Sequence, residues 1–402
     1  MTSHGRPRIT VVGIGAGGWS DLTESSRGAV LAAPVVIGGV RHLAMLPDRP
    51  DQARESWPFP LRAGLPDLLA RHEDSAIVVL ASGDPLVSGI ATTLIALVGE
   101  HAVRVEPALS SVALARARMG WPAEVAELVS LVGRDPRAVL RTLSPGHRVL
   151  VLSSGADTPA EVAGLLREAG YGASRLVVLG DLGAPDESRT EGVADTWSHG
   201  SPALNVIALT LAGPVVGPRT GGLPDEAFAH DGQLTKRDLR ASALARLAAQ
   251  PGELLWDVGA GAGSVGIEWM RAHPTCSAIA VEHDEARAAR IAENAGRLGV
   301  PTLRLVLGRA PEALKDLPSP DAIFVGGGAT VPGLVEACLD ALRPGGRLVV
   351  HGVTLETESL LAASYAQHGG ELTRISVEHA APIGSFTGWT PARAVTQWAV
   401  SR

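Results

Sequence analysis

Short runs of β-branched and aliphatic residues alternate along most of the chain with longer helix-like stretches. In the first half, the apolar runs Ile9–Val12, Val35–Ile37, Ala76–Leu80, Val103–Val105, Leu128–Val132, Arg148–Leu152, Leu176–Leu179 and Asn205–Leu211 read as strands. Stretches such as Gly89–Val98 and Pro159–Ala169 read as helices between them. The same alternation resumes in the second half. Strands are predicted at Leu254–Val258, Ala278–Val281, Arg304–Val306, Ala322–Val325 and Arg347–Val350, with a hairpin-like pair near Glu371–Val377 and Val395–Val400. Helices are predicted at Asp238–Ala249 and Glu285–Leu298. Strand–helix alternation predicts an α/β protein whose parallel sheets are joined by helical crossovers. A break near Pro107 divides the first half into two lobes.

The alternation is interrupted once. Ala212 to Asp225 reads AGPVVGPRTGGLPD, a proline- and glycine-rich segment without periodicity, and therefore a linker. The expected organisation is one domain over 8–212, a linker over 213–225 and a second domain over 226–402.

Composition narrows the function classes. The chain has 402 residues, 46% hydrophobic and 19% charged, enough for two domains that each bury a core. A formal net charge of −7 speaks against nucleic acid as a partner. Cys276 and Cys338 are its two cysteines, with no Cys/His cluster, so neither a disulfide framework nor a structural metal is expected, and the cytoplasm is the expected compartment. The stretch Met1 to Arg8 lacks the apolar core of a signal peptide, and no apolar run is long enough to span a bilayer.

Candidate chemistry sits where strands run into glycine turns. In the second half, Leu254–Val258 leads into Gly259-Ala260-Gly261-Ala262-Gly263-Ser264. Such a turn brings backbone N–H groups close to a ligand at the positive end of the following helix. A dinucleotide fingerprint would need glycine where Ser264 stands. The G-x-G-x-G spacing behind Asp257 instead resembles the first motif of the Rossmann-like methyltransferases. The next strand ends in Glu282, an acceptor suited to the two hydroxyls of a ribose. Pro320–Gly328 is a strand ending in Gly326, Gly327 and Gly328, which leave room for a bulky substrate at the sheet's carboxyl edge; a flexible loop is the alternative. Leu342–Leu348 carries an L-x-P-G-G turn, also similar to that class. Thr235 with Asp238 reads as a capping box. Lys236, Arg237 and Arg240 read either as a solvated helix face or as a docking site for substrate carboxylates.

In the first half, Ile9–Val12 enters Gly13-Ile14-Gly15-Ala16-Gly17-Gly18, formally a G-x-G-x-x-G turn, but the acid expected some 20 residues on is missing. Two further loops follow strands: Ser82-Gly83-Asp84-Pro85 with Ser88-Gly89, and Val105-Glu106-Pro107-Ala108-Leu109-Ser110-Ser111. The three segments in this order resemble the tetrapyrrole methylase family.

That pair of resemblances implies a two-lobed tetrapyrrole methylase fold followed by a Rossmann-like class I methyltransferase fold. It is similar to the two-domain decarboxylating methyltransferases of corrin biosynthesis. The resemblance implies S-adenosyl-L-methionine as methyl donor, with two sites per chain, and a tetrapyrrole (precorrin) substrate. It further implies methylation of carbon 15 with loss of carbon dioxide from the ring-C acetate in the second half, and methylation of carbon 5 in the first. Donor contacts carry over to Gly13, Gly15, Gly17, Gly83, Asp84, Ser88, Ser110 and Ser111, and in the second half to Thr235, Gly259 to Gly263 (including Ala260 and Ala262), Glu282 and Ala310. Gly308-Arg309-Ala310 departs from a frequent Gly-Asp-Ala, and Glu106-Pro107-Ala108 from the more usual Val-Pro-Gly. The family tail is matched at His351–Thr357 and Gly388-Trp389-Thr390-Pro391. A general acid for decarboxylation is sought at Glu356 or His351, by position near a strand end. Both component families assemble, which implies a homo-oligomer. The rival readings are a nicotinamide-dependent oxidoreductase using the Gly13 turn, and a non-catalytic protein that binds the methyl donor or a tetrapyrrole.

Overall fold

A computed structural model describes residues 8–215 and 220–402; residues 1–7 and, within the expected linker, 216–219 lie outside the described residues. The described residues form two compact units. One runs to Pro136 and includes Ser144–Pro214; the other comprises Arg137–Leu143 and the residues from Val215 on.

The first unit holds two sheets. In its first lobe, β1 (Ile9–Ile14), β2 (Val35–Gly38), β3 (Ala53–Ser56), β4 (Ile77–Ser82) and β5 (Val103–Glu106) form a parallel sheet in the order β3-β2-β4-β1-β5. Alternate side chains serve opposite faces, the strand period of two: Ile9, Val11, Ile77 and Val79 enter one core, and Val12, Ile14, Val78 and Leu80 the other.

The second lobe corrects the expectation of parallel sheets throughout. Here β6 (Ala126–Ser130), β7 (Arg148–Leu152), β8 (Arg175–Gly180), β9 (Ser188–Val193) and β10 (Asn205–Thr210) are ordered β6-β7-β10-β8-β9, and only the β6–β7 pair is parallel. No α-helix separates β8 from β9 or β9 from β10. The short connection after β8 returns the chain antiparallel as β9. The chain then crosses β8, and β10, pointing the same way as β9, runs against both β8 and β7.

The second unit is one seven-stranded sheet: β11 (Leu254–Val258), β12 (Ser277–Glu282), β13 (Arg304–Leu307), β14 (Ala322–Val325), β15 (Arg347–Gly352), β16 (Glu371–Ile375) and β19 (Val395–Ser401), ordered β13-β12-β11-β14-β15-β19-β16. The first five strands are parallel and β19 runs against β15 and β16. This is the class I methyltransferase order, and the direction of winding reverses at β11. Crevices beyond the carboxyl ends of strands at such a reversal are where α/β sheets take ligands. Leu255 and Phe324 pack into the core on one face, Trp256, Ile323 and Trp398 into the core on the other. The expected pair near 371–377 and 395–400 does form, as β16 and β19, but a separate hairpin of β17 (Glu378–Ile383) and β18 (Phe386–Pro391) lies between them in the chain.

The carboxyl end of the expected linker is not free. Leu223 is fully buried, and the N–H groups of Gly222 and Leu223 donate to the buried Glu268 carboxylate. Among the described residues, no helix is long and apolar enough to cross a membrane, and no group of His, Cys, Asp and Glu is arranged to hold a metal.

Candidate active site

In the second unit, the turn after β11 uses its glycines for different physical ends. Gly259, Gly261 and Gly263 have φ of 68°, 60° and 75°, the left-handed region that costs other residues energy. A Cβ on Gly259 would lie 3.1 Å from the Gly327 carbonyl oxygen, and one on Gly261 would lie 2.9 Å from the Gln233 carbonyl oxygen. A Cβ on Gly263 would lie 2.8 Å from Cγ2 of Ile291. Gly263 is also the N-cap of the helix Ser264–Ala272. The first two glycines thus bring the turn against the floor of a cavity, while the third lets helix and sheet pack.

That cavity has a volume of about 1340 Å³ and opens at the carboxyl ends of β11, β12 and β14. Of the expected contacts, Thr235, Lys236, Arg237, Gly259, Ala260, Gly261, Glu282, Ala310 and Gly326–Gly328 line it. Ala262 and Gly263 do not: Ala262 is buried in the core under the turn. Glu282 is 3% exposed; its Oε2 accepts from Gly261 N at 2.9 Å, and its Oε1 from the amides of His283 and Asp284 at 2.8 and 3.1 Å. Asp257, near the end of the adjacent strand β11, is fully buried and accepts from Gly266 N at 2.9 Å. Burial is the main cause that pushes its pKa up to about 7, with the Glu282 charge adding to it.

Arg240 corrects the expected basic cluster. Its guanidinium is fully buried, pairs with Glu268 at 2.5 Å and Asp225 at 3.1 Å, and donates to the carbonyls of Thr235 and Leu223. All three of its nitrogens are engaged inside the unit, so it holds the chain entering the second unit and docks no substrate. The capping box is corrected too. Lys236, not Thr235, is the N-cap of the helix Arg237–Leu247, and no side chain caps it. Lys236 and Arg237 remain exposed on the cavity wall. Arg309, which stands where a relative often has aspartate, lines the cavity, as do residues not singled out from sequence, among them Gln233, Arg287, His379 and Arg393.

In the first unit, a cleft of about 80 Å³ lies between the two lobes. Gly15, Gly83, Asp84, Ser110 and Ser111 line it, facing Leu179, Leu204 and Asn205 of the second lobe. Asp84 Oδ1 accepts from Leu86 N at 2.9 Å, and Ser110 caps the helix Ser111–Met119 through Ala113 N. Three expected contacts fall elsewhere. A Cβ on Gly13 would sit 2.0 Å from the Gly83 carbonyl oxygen and 2.6 Å from Ala108 N, so Gly13 is where three backbone segments converge. A Cβ on Gly17 would strike the Asp21 carboxylate, and Ser88 is exposed outside the cleft. The turn does not run directly into an α-helix, as a dinucleotide turn does: a 3-10 segment, Gly18–Asp21, follows it, and the first α-helix begins at Glu24.

Residues 8–196 match the tetrapyrrole (corrin/porphyrin) methylase family, and residues 226–402 match the precorrin methyltransferase domain. A precorrin-6Y C(5,15)-methyltransferase [decarboxylating] of Sinorhizobium is 45% identical over 396 residues, 98% of this chain and 96% of the relative. The chain belongs to the precorrin-6Y C(5,15)-methyltransferase (decarboxylating) family. Two shorter relatives, each 35% identical, match about half of the chain. One is a probable cobalt-precorrin-6B C(15)-methyltransferase (decarboxylating) of Pyrobaculum calidifontis, matched over 45% of this chain and 97% of the relative. The other is a cobalt-precorrin-7 C(5)-methyltransferase of Salmonella typhimurium, matched over 50% of this chain and 98% of the relative. Methyltransferases of this kind use S-adenosyl-L-methionine, and the lining of the second unit's cavity fits such a donor, with Gly259 and Gly261 held at positive φ and a buried carboxylate at the strand tip.

Decarboxylation in the precorrin-6Y methyltransferase family leaves a carbon that must take up a proton, and the two residues expected to supply it behave differently. Glu356 is exposed in the first turn of the helix Leu355–His368 and does not line the cavity. Backbone and Thr354 hydrogen bonds hold its carboxyl below the usual range, so it is a charged helix-terminal residue and not an acid poised for transfer. His351 does line the cavity, but burial, against a smaller opposing effect of Gln397, lowers its pKa, with the Arg246 charge adding to the lowering, which disfavours the charged ring as a proton donor.

Proposed function

We propose that the chain methylates precorrin-6Y at carbons 5 and 15 and removes the carboxyl of its ring-C acetate, with one S-adenosyl-L-methionine site in each unit. The second unit carries the carbon-15 methylation and the decarboxylation, the first unit the carbon-5 methylation. The observation that carries this reading is the cavity beyond β11, which the glycine turn, Glu282 and Gly326–Gly328 line together. A donor and a macrocycle fit side by side there, since about 1340 Å³ exceeds the roughly 300–1,000 Å³ of an ordinary ligand pocket. When bound, the donor supplies an already activated methyl group. The chain's share is to hold the nucleophilic carbon in line and exclude water, an effect of proximity and orientation. Lys236 and Arg237 are placed to pair with peripheral carboxylates of the macrocycle. The division of labour is supported by relatives half as long whose names carry the single steps.

The first unit's cleft is smaller than a ligand pocket, so donor binding there requires its two lobes to part between Gly83–Asp84 and Leu204–Asn205. Product mass tests the whole reading. Incubation with precorrin-6Y and donor is expected to add two methyl groups and remove one carboxyl, with two donor molecules bound per chain by calorimetry. Binding without turnover would favour a sensor, and binding of a reduced nicotinamide dinucleotide an oxidoreductase.

We further place the chain in the cytoplasm, in keeping with two buried free cysteines, and as a homo-oligomer. The β17–β18 hairpin leaves Ile383, Phe386 and Trp389 59, 79 and 70% exposed, an apolar surface suited to a second copy. Light scattering on Trp389→Glu is expected to show a smaller assembly than the parent chain; a monomeric parent would refute the assignment.

A further inference from the structure

His351, near the end of β15, stands directly opposite Gln397 of β19 in the antiparallel ladder. Its Nε2 lies 2.8 Å from the Gln397 amide, which is fully buried. Behind Gln397 stands Arg246, from the helix Arg237–Leu247. Its Nε and Nη1 lie 2.9 and 3.2 Å from the same amide, and Nε also reaches Glu371 at 3.0 Å. A guanidinium has donors only, so Gln397 must turn its carbonyl oxygen to Arg246 and its NH2 to His351. His351 Nε2 is then an acceptor and carries no proton. In a neutral imidazole the proton is therefore on Nδ1. Among the described residues Nδ1 has no hydrogen-bond partner, and the ring lines the same cavity as Gly326–Gly328, held edge-on by Phe324 at 5.0 Å.

We propose that Gln397 and Arg246 lock His351 as the Nδ1-protonated neutral tautomer, making it an uncharged hydrogen-bond donor to a substrate carboxylate in this cavity. His351 touches substrate; Gln397 and Arg246 are positioning residues. The proton that replaces carbon dioxide on the substrate then comes from another source, since giving up Nδ1–H from a neutral ring would leave an imidazolate and Nε2 has no donor route to refill it. The carboxylate as recipient rests on the proposed function; the tautomer does not.

Nitrogen chemical shifts test the tautomer in the full-length chain labelled with 15N-histidine, with the His351 signals assigned by their loss in His351→Asn. The expected spectrum shows a pyridine-like Nε2 and a pyrrole-like Nδ1. A protonated Nε2 in the unmodified chain would overturn the proposal. In Gln397→Glu, a carboxylate replaces the donor and the tautomer is expected to reverse. Asparagine at 351 places an amide N–H near the Nδ1 position and glutamine near Nε2. For carbon-15 methylation and decarboxylation, kcat/KM is expected to fall roughly 10- to 100-fold further in His351→Gln than in His351→Asn, the scale of one hydrogen bond to a charged group. Equal losses would remove the donor role. If the unmodified chain made no decarboxylated product, the functional reading would fail while the spectrum still decided the tautomer.

Discussion

Glu282 Oε2 accepts the backbone N–H of Gly261 at 2.9 Å. The bond ties the tip of β12 to the turn after β11, so the carboxylate and the glycine backbone form one preset wall of the cavity. Because the carboxylate is 3% exposed, hydrogen bonds it makes to a ligand's hydroxyls are screened little by water.

Glu282→Ala is therefore expected to weaken donor binding in the second unit by about two to four orders of magnitude, from two lost charge-assisted hydrogen bonds of roughly 1.5–3 kcal/mol each. Calorimetry is expected to retain one site, and product analysis to show carbon-5 methylation surviving on a substrate already processed at carbon 15. Loss of both donor sites would contradict separate pockets.

Asp84 stands in the first unit's cleft, its Oδ1 accepting from Leu86 N. Asp84→Ala is expected to reduce carbon-5 methylation at least tenfold while the decarboxylated carbon-15 product still forms and accumulates. Mass spectrometry separates the two products, which differ by one methyl group; accumulation of unreacted substrate would count against the assignment.

Asp257 gives stability a pH dependence. Its folded pKa of about 7 lies above the ordinary 3.8, so between those values the folded chain binds a proton that the unfolded chain has lost. Stability from this group is complete below about pH 4, declines as pH rises, and is lower by roughly 4 kcal/mol above pH 7, at about 1.36 kcal/mol per unit. Asp257→Asn removes the titration while an amide oxygen can still accept from Gly266. Its denaturant midpoint, measured against the parent chain, is expected to improve from pH 5 to pH 8; identical pH profiles would show that Asp257 does not titrate in this range.

Arg240→Met leaves Glu268 buried without its cation, which costs about 3–5 kcal/mol. Arg237→Ala, at the exposed cavity wall, is expected to leave the unfolding midpoint nearly unchanged and to raise KM for the tetrapyrrole severalfold. Urea unfolding and steady-state kinetics on the two variants separate a structural arginine from a docking one, although sequence places both on one helical turn.

The class of the second unit was legible because both faces of its sheet are covered. Runs such as Leu254–Val258 and Ala322–Val325 must then be apolar throughout, and the glycine turn and Glu282 follow them at fixed chain distance. The three loops of the first unit that follow β1, β4 and β5 were readable too, as local signals each confined to one strand end. Strand direction in the second lobe was not local: β10 lies between β7 and β8, and only the assembled sheet shows which neighbours run antiparallel. Nor did residue type tell what Arg240 does, since the same guanidinium docks a ligand or neutralises a buried Glu268 according to which way its helix face turns. His351 makes the point most sharply. Chain order puts a histidine near a strand end, but its protonated nitrogen is set by Gln397 across the ladder and Arg246 behind it, residues distant in sequence that packing alone brings within 3 Å or so of one amide.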